Sequence, residues 1–542
     1  MPLIPCAWKW IVPIVLLCMV LAVTCPGCGG QTASTGKAGE PLEIPSPERA
    51  RSTEAPRHVL VIVADSLRAD HLGCYGYERN TSPFIDRLAA EGVVFEQVFS
   101  NSSLTSESVS SFFLSRYPAA NPWGGGMLAR PGPRLRPMAT LFQDAGFATG
   151  FFTTSPVLNH AGFFQGFDEH TCLGEKFGES GGGTELTQRA LSFYEQRAGE
   201  RTFCYLHYLD PHHPYQPPEE YYLRFADSVY PDPLDLYTDV RPHVPELVED
   251  GFGPGDPRFE DFVLRYDAEI ALIDDTVRML LDGLKRLGLA EDTLVVFGAD
   301  HGEEFLEHGF VEHAWYLYPE SVHVPLVFWA PGRLAPARVG GRASLVDLLP
   351  SLLALAGVPP PNHAMDGAPL FVRSAAGWTP APQSKPFVSQ LLVPMRTMIH
   401  TVTMDDYLYL RAPLWKTPAE CAAISPQLHD LLRAHIEGGL EGPGPWAPPQ
   451  HEALFNLAND PAAQRNVLEK HPEQAAAMRA VLQRLRHRCP PPLPVSYKAR
   501  RDPALLTPEQ RAAAGIGPEM AEPASDAEIR DGLEKLEHLG YL

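Results

Sequence analysis

Cysteine is scarce in this sequence: nine in 542 residues, and only Cys74, Cys172, Cys204, Cys421 and Cys489 lie beyond Cys28. That excludes a disulfide-stapled scaffold, and the odd, scattered set assigns no pairing. No second CxxC follows Cys25 to Cys28, so a four-cysteine zinc site is excluded as well. Positive charge is short too, with 44 Lys and Arg against 66 Asp and Glu and a formal net charge of −22. A non-specific nucleic-acid binder needs the opposite sign, because basic side chains make the phosphate contacts. The apolar, charge-free stretch at the front, Trp10 to Thr24, falls short of the about 20 residues a spanning helix needs. Internal repeats are absent. What the chain does have is 44% hydrophobic and 10% aromatic residues, enough for a large core, which excludes disordered and collagen-like classes. Its 55 prolines point to long ordered loops rather than a helical bundle. The length suits two to four units, or one large α/β domain with a smaller partner.

The front end reads as an export signal. Lys9 supplies a positive charge, Trp10 to Thr24 is the apolar segment, and Cys25-Pro26-Gly27-Cys28 follows. A small residue before a cysteine at this point resembles a bacterial lipoprotein signal, with Cys28 as the lipidated residue. The expectation is an exported protein, periplasmic or at the cell surface, held to the membrane by an N-terminal lipid anchor. Residues 1–28 are then the signal and 29–57, polar and without periodicity, a tether.

The folded body opens at His58-Val59-Leu60-Val61-Ile62-Val63, a continuous apolar run that predicts a buried strand. Similar runs recur at Phe147 to Phe152, Phe203 to Leu209, Leu294 to Phe297 and Pro325 to Trp329. Between them lie helical patterns. The clearest covers Tyr266 to Leu287, where Ile270, Ile273, Val277, Leu280, Leu281 and Leu284 form one stripe. Buried strands alternating with amphipathic helices predict an α/β sandwich around a mostly parallel sheet. Ligands of such sheets sit beyond the carboxyl ends of the strands. Three predicted ends deliver ionisable groups there: Asp65, then Asp210-Pro211-His212-His213-Pro214-Tyr215, then Asp300-His301-Gly302-Glu303. Carboxylates with imidazole suit a divalent cation. Between the first two ends, Val109, Phe112 and Phe113 predict a helix starting near Thr105, whose hydroxyl would sit at the positive end of the helix dipole.

At this point the residues resemble the sulfatase branch of the alkaline phosphatase superfamily. The segments that carry the likeness are Val61 to Gly76, Ser82 to Leu88 with Gly92 to Phe95, Asp210-Pro211-His212 with Pro214-Tyr215, Gly298 to Glu303 through Glu307-His308-Gly309, His313, and Tyr318 to Leu326. Leu345 to Leu353, Leu454 to Leu457 with Asp460-Pro461, and the terminal Leu539-Gly540-Tyr541-Leu542 follow in the family's order. The resemblance implies an alkaline-phosphatase-like sandwich over 58–375 and a smaller C-terminal subdomain over 376–488, with a short antiparallel sheet and a packing helix. A Pro/Ala-rich tail with a terminal helix would occupy 489–542. It implies one divalent metal ion (Ca, Mg, Mn or Zn) held by Asp65, Thr105, Asp300 and His301. His212 and His313 would bind substrate, one or the other protonating the leaving oxygen, and Arg68 would either contact the bound oxyanion or serve as a solvated or capping residue.

One departure matters. Typical sulfatases carry Cys or Ser followed by x-Pro-x-Arg, and that residue becomes formylglycine. Counting back from Arg116-Tyr117-Pro118, the nucleophile position falls on Thr105, the Pro position on Glu107 and the Arg position on Val109. Threonine cannot become that aldehyde, so no formylglycine is expected. The remaining chemistry is a metal-activated hydroxyl that forms a covalent ester. The expected function is hydrolysis of sulfate or phosphate esters on a small molecule, glycan or lipid, with no nucleic-acid partner. The alternatives are a phosphoryl-group transferase acting on lipid or glycan, and a catalytically dead binding protein of the same fold.

Overall fold

A computed structural model of the protein describes residues 54–121, 135–160, 162–174, 182–235, 239–240, 243–375, 377–382, 385–391, 399–412 and 452–488. The expected signal with Cys28, most of the expected tether, Cys421, Cys489 and the expected 489–542 tail lie outside the described residues.

The strand at the centre is β1, His58–Ala64, buried along its whole length. It is flanked in parallel on both sides, which is why its sequence is continuously apolar rather than alternating. In chain order the further strands of this sheet are β2 (Val93–Phe99), β3 (Phe147–Thr153), β4 (Glu169–Cys172), β5 (Arg201–Tyr208) and β6 (Thr293–Ala299). A two-stranded ribbon of β7 (Glu304–Phe305) and β8 (Val311–Glu312) intervenes, and β9 (His323–Val324), β10 (Leu326–Trp329) and β11 (Ala337–Ser344) complete the sheet. The order is β11-β2-β10-β6-β1-β5-β3-β4, with β9 on β2. Only β9 and β10 run antiparallel to their neighbours in it. The register brings Ala64 level with Tyr208 on β5 and Ala299 on β6. The chain therefore leaves β1 at Asp65 and β6 at Asp300 side by side.

Strand parity assigns the two faces. On β5, Phe203 stacks on Phe142, and Tyr205 packs edge-on against Phe113 of a helix α2 that spans Thr105–Leu114. Tyr208, of the opposite parity, turns the other way, its hydroxyl 2.7 Å from that of Thr187 on the helix Gly182–Gln196. His207 shares the face of Tyr205 and α2. The long helix is Pro257–Arg286: it reaches back beyond the expected Tyr266 because Asp256 caps Arg258 N at 2.8 Å and Pro257 opens the first turn. All six residues of the expected stripe are buried.

The smaller antiparallel sheet runs in the order Phe387–Leu391, Ile399–Met404, Tyr407–Arg411, Glu452–Asn456. The helix Pro472–Arg488 packs on it through Ala475, Met478, Val481 and Leu482. The stretch Met404 to Leu410 is the end of one strand, a turn at Asp405-Asp406 and the start of the next strand. Two polar residues and a positive φ at Asp405 make that turn. Among the described residues no disulfide forms, and Cys204 is buried.

One buried carboxylate joins the long helix to the sheet's periphery. Asp274 accepts from the backbone N–H of Phe84 and Ile85 (3.0 and 2.7 Å), at the start of α1, Pro83–Glu91. Burial pushes it up to about 7. The folded chain thus holds a proton that the unfolded chain has released, so this contribution to stability is full below the ordinary carboxylate range and is lost as pH rises through 7. Melting curves from pH 4 to 8 should show that decline in the wild type and a flatter profile in Asp274→Asn. Superimposable profiles would count against this role.

Candidate active site

Asp65, at the end of β1, and Asp300, at the end of β6, are both fully buried. Ser66 takes a positive φ of 60° there, and its N–H donates to Asp300 Oδ1 at 3.2 Å, while the His301 N–H donates to the same oxygen at 2.9 Å. Asp300 Oδ2 has no hydrogen-bond partner although buried. His301 supplies the complement. Its Nδ1 donates to the Gly302 carbonyl at 2.9 Å, which leaves the lone pair on Nε2. That Nε2 lies 3.2 Å from Thr105 Oγ1, 3.5 Å from Asp300 Oδ2 and 3.6 Å from Asp65 Oδ1. An orphaned carboxylate oxygen, a second carboxylate, a lone-pair imidazole and a hydroxyl thus converge, and this donor set fits a divalent cation. Burial and the charge of Asp65 push Asp300 up, as expected where two carboxylates meet without a counter-charge.

Thr105 is the first residue of α2, as expected, and every residue of that helix is buried. Ser108 fixes the helix to the site by donating to the Asp300 carbonyl at 2.6 Å, and Ser102 donates to Glu107 at 2.8 Å. A helix N-terminus presents a positive partial charge, which suits an anionic ester at Thr105.

Beside this set stand three more buried imidazoles. His212, His213 and His313 each offer a ring nitrogen within 4.8 Å of the others. His313 packs on His301 with ring centroids 4.4 Å apart. His313 Nδ1 pairs with Glu303 at 2.9 Å, and Glu303 also accepts from the Tyr215 hydroxyl at 2.9 Å. His213 Nε2 pairs with Glu312 at 2.7 Å. His212 Nδ1 donates to the His213 carbonyl at 2.6 Å, and burial with His213 draws its pKa down to about 3. A neutral ring whose proton is already given to a carbonyl accepts or ligates. With its ring proton engaged by a carbonyl, His212 is placed to accept or ligate, and His313, held by Glu303, is the better placed of the two expected proton donors.

Arg68 departs from expectation as well. Its guanidinium donates to both oxygens of Asp70 at 2.9 and 2.8 Å, to the Glu303 carbonyl at 3.1 Å and to Glu307. Four of five donors are consumed in this buried network, so Arg68 ties the 301–307 segment to the loop after β1 and is not placed as an oxyanion ligand. The Glu303 carboxylate pairs with His313 and accepts from Tyr215.

Residues 57–358 match the family model described as Sulfatase. The chain belongs to the sulfatase family. It is 30% identical over 346 residues to human (Homo sapiens) arylsulfatase A, covering 58% of this chain and 66% of that protein. It is 21% identical over 423 residues to an N-acetylglucosamine-6-O-sulfatase of Bacteroides thetaiotaomicron, covering 63% and 75%. Among solved structures, the phosphonate monoester hydrolase of Agrobacterium radiobacter superposes with a TM-score of 0.56 at 20% identity, over 80% of this chain and 96% of that one, which shows the shared fold. The chain is thus a sulfatase-family hydrolase within the alkaline phosphatase superfamily, and sulfatases typically bind a divalent metal.

The sequence reading missed His207. Its Nε2 lies 3.1 Å from Asp65 Oδ2 and its Nδ1 2.9 Å from the Tyr205 hydroxyl. With the phenol donating to Nδ1, the ring proton on Nε2 points at Asp65 and fixes that carboxylate. The only signal was a histidine inside an otherwise apolar strand, FCYLHY. His207→Gln is expected to weaken cation binding about 10–100-fold, as lost orienting partners do. Calorimetric titration of metal-stripped protein with Mg²⁺ or Ca²⁺ checks this, and an unchanged affinity would mean that His207 only fills the core.

Proposed function

We propose that this sulfatase-family member is an exported, metal-dependent hydrolase that cleaves its ester through a covalent intermediate on Thr105. The observation that carries the reading is the position of Thr105 Oγ1: first turn of α2, 3.2 Å from His301 Nε2, beside Asp65 and Asp300. Asp65, Asp300, His301 and Thr105 would hold the cation. A bound divalent cation lowers the pKa of a coordinated hydroxyl and offsets charge on the transferred group. Thr105 Oγ1 gives up its proton to solvent and bonds to the sulfur or phosphorus in line with the leaving oxygen, whose bond breaks as His313 hands it a proton. Water then attacks the same centre, passing a proton back to His313 while the bond to Thr105 Oγ1 breaks and that oxygen regains a proton from solvent. The α2 N-terminus stabilises negative charge on the non-bridging oxygens in both steps.

A sulfated or phosphorylated glycan is the substrate class, supported by the amino-sugar sulfatase among the relatives. The charged and apolar pattern at Lys9 to Thr24 and the cysteine at Cys28 support export and a lipid anchor. The test is a substrate panel on the metal-stripped full chain with Mg²⁺, Mn²⁺, Ca²⁺ or Zn²⁺ returned. Aryl sulfate, phosphate monoester, phosphodiester, phosphonate monoester and glucosamine 6-sulfate cover the class. Turnover restored by metal and abolished by chelator is the expected result. Metal binding without hydrolysis of any member would sink the hydrolase assignment.

A further inference from the structure

The two segments that deliver Thr105 and His313 are sealed from solvent except at one point each. From Ser100 to Ser115 every residue but Leu104 is buried, and from Val311 to Tyr318 every residue but Ala314 and Trp315. Each break adjoins a functional residue: Leu104 precedes Thr105, and Ala314-Trp315 follows His313. We propose that Trp315, with Phe310 and Leu104 beside it, is a platform on which the sugar ring of the leaving group stacks, so that these side chains set a preference for sugar esters over open-chain ones. This role rests on Thr105 being the reacting end of the site. Three observations carry it. First, the side chains lie together. Leu104, Phe310 and Trp315 are part-exposed and pack on one apolar cluster that includes Tyr316, Leu317 and Tyr318. The Phe310 and Trp315 rings stack with centroids 5.8 Å apart at 23°. The Ser103 hydroxyl donates to the Tyr316 carbonyl at 2.8 Å, which ties the segment before Thr105 to the segment after His313. Second, the polar atom of Trp315 is already used. Its indole N–H donates to the Val311 carbonyl at 3.1 Å, so the ring is held in place and has little rotamer freedom to lose when a ligand stacks on it. Third, the backbone is left-handed on both sides of His313, with φ of 70° at Glu312 and 67° at Ala314. Residues other than glycine keep such conformations only where their surroundings enforce them, and they cluster at ligand sites.

A sugar ring carries C–H groups on its faces and hydroxyls around its edge. An indole face covers the former, whereas a two-carbon alcohol offers almost no such area to bury. The contact is made alike in the ground state and the transition state, so it acts on KM rather than on kcat.

The experiment compares glucosamine 6-sulfate, ethyl sulfate and hexyl sulfate, and the three corresponding phosphates, on the metal-loaded full chain. All release a primary alcohol, so they differ in what the alcohol carries and not in the bond broken. The wild type is expected to favour the sugar ester over the ethyl ester in kcat/KM. Trp315→Ala should lower that preference about 10–100-fold through KM, and Trp315→Phe, the milder variant, should keep most of it. A preference unchanged in Trp315→Ala, or an equal loss with sugar and ethyl esters, would overturn the proposal. A larger loss with the hexyl ester than with the sugar ester would give the face to a lipid chain and overturn it too. Calorimetric titration of Thr105→Ala with glucosamine 6-phosphate at saturating Mg²⁺ separates this question from that of hydrolysis. Binding that weakens about 10–100-fold when Trp315→Ala is added supports the platform even if the wild type turns over no ester. Binding that is equal with and without Trp315, or absent from both, overturns it.

Discussion

Thr105→Ala is expected to abolish turnover, lowering kcat by roughly a thousandfold or more, while the cation still binds through Asp65, Asp300 and His301 at reduced affinity and the melting temperature stays near wild type. Removing a covalent nucleophile eliminates the pathway rather than weakening one contact, and single deletions of that kind reach about a millionfold in other hydrolases. The side chain lost is small, and its Oγ1 partner is His301 Nε2. Little stability is at stake, because one exchanged hydrogen bond is worth only about 1 kcal/mol. Thr105→Ser keeps the hydroxyl and should retain measurable turnover with a trapped ester on residue 105. The decisive readout is rapid-quench mass spectrometry of the wild type, in which a transient mass increase must map to Thr105. Full activity in Thr105→Ala would move the nucleophile elsewhere in the chain, and a label on Ser106 would identify the neighbour as the true attacking group.

The second large effect is at Asp300. Its Oδ1 already accepts from two backbone N–H groups, and its Oδ2 is the oxygen left without a hydrogen bond. Asp300→Asn preserves shape but replaces an anionic oxygen that faces the other donors. Turnover should fall by about two to four orders of magnitude, and the Mg²⁺ or Ca²⁺ titration should lose its high-affinity phase. Stability should move in opposite directions in the two metal states. Without metal the variant is more stable, since one of two adjoining buried carboxylates no longer resists ionisation. With saturating metal the wild type gains more, because ligand that binds only the folded state stabilises it by RT ln(1 + [L]/Kd). Parallel melts with and without cation test this crossing. If both proteins gain the same stability from metal, Asp300 is not a ligand.

Much of this was legible in the sequence, and what was legible had a physical reason. Strands buried on both faces must be apolar throughout, so β1, β3, β5 and β6 announced themselves. Their carboxyl ends follow directly, and with them Asp65, Asp300 and His301. Thr105 as the first residue of α2 followed from the apolar spacing of Val109, Phe112 and Phe113. The less visible elements were those set by tertiary context. Strand β2, Val93–Phe99, carries Glu96 and Gln97 and reads as a broken run, yet it is held between β10 and β11. Arg68 looked like an anion ligand because its partners Asp70, Glu303 and Glu307 include two from a segment 235 residues or more away. His207 was hidden because a single polar residue in a strand carries no periodic signal. Pairing of His213 with Glu312 and of His313 with Glu303 depends on how the ribbon of β7 and β8 folds against the 210–215 loop, which no local pattern encodes.

Helix α2 is sealed from solvent at all ten of its positions. An element so enclosed has no independent route to open, and its amides should exchange only when the whole domain unfolds. If Thr105 is the attacking group, as proposed, its orientational entropy is settled once, during folding, and not with each catalytic cycle. Affinity gained from a substrate need not be diverted to dragging the nucleophile into line. Differences between good and poor substrates would then arise from how their leaving groups seat against a fixed post, and evolution could retune this enzyme's preferences at the rim while Thr105 stays where the fold put it.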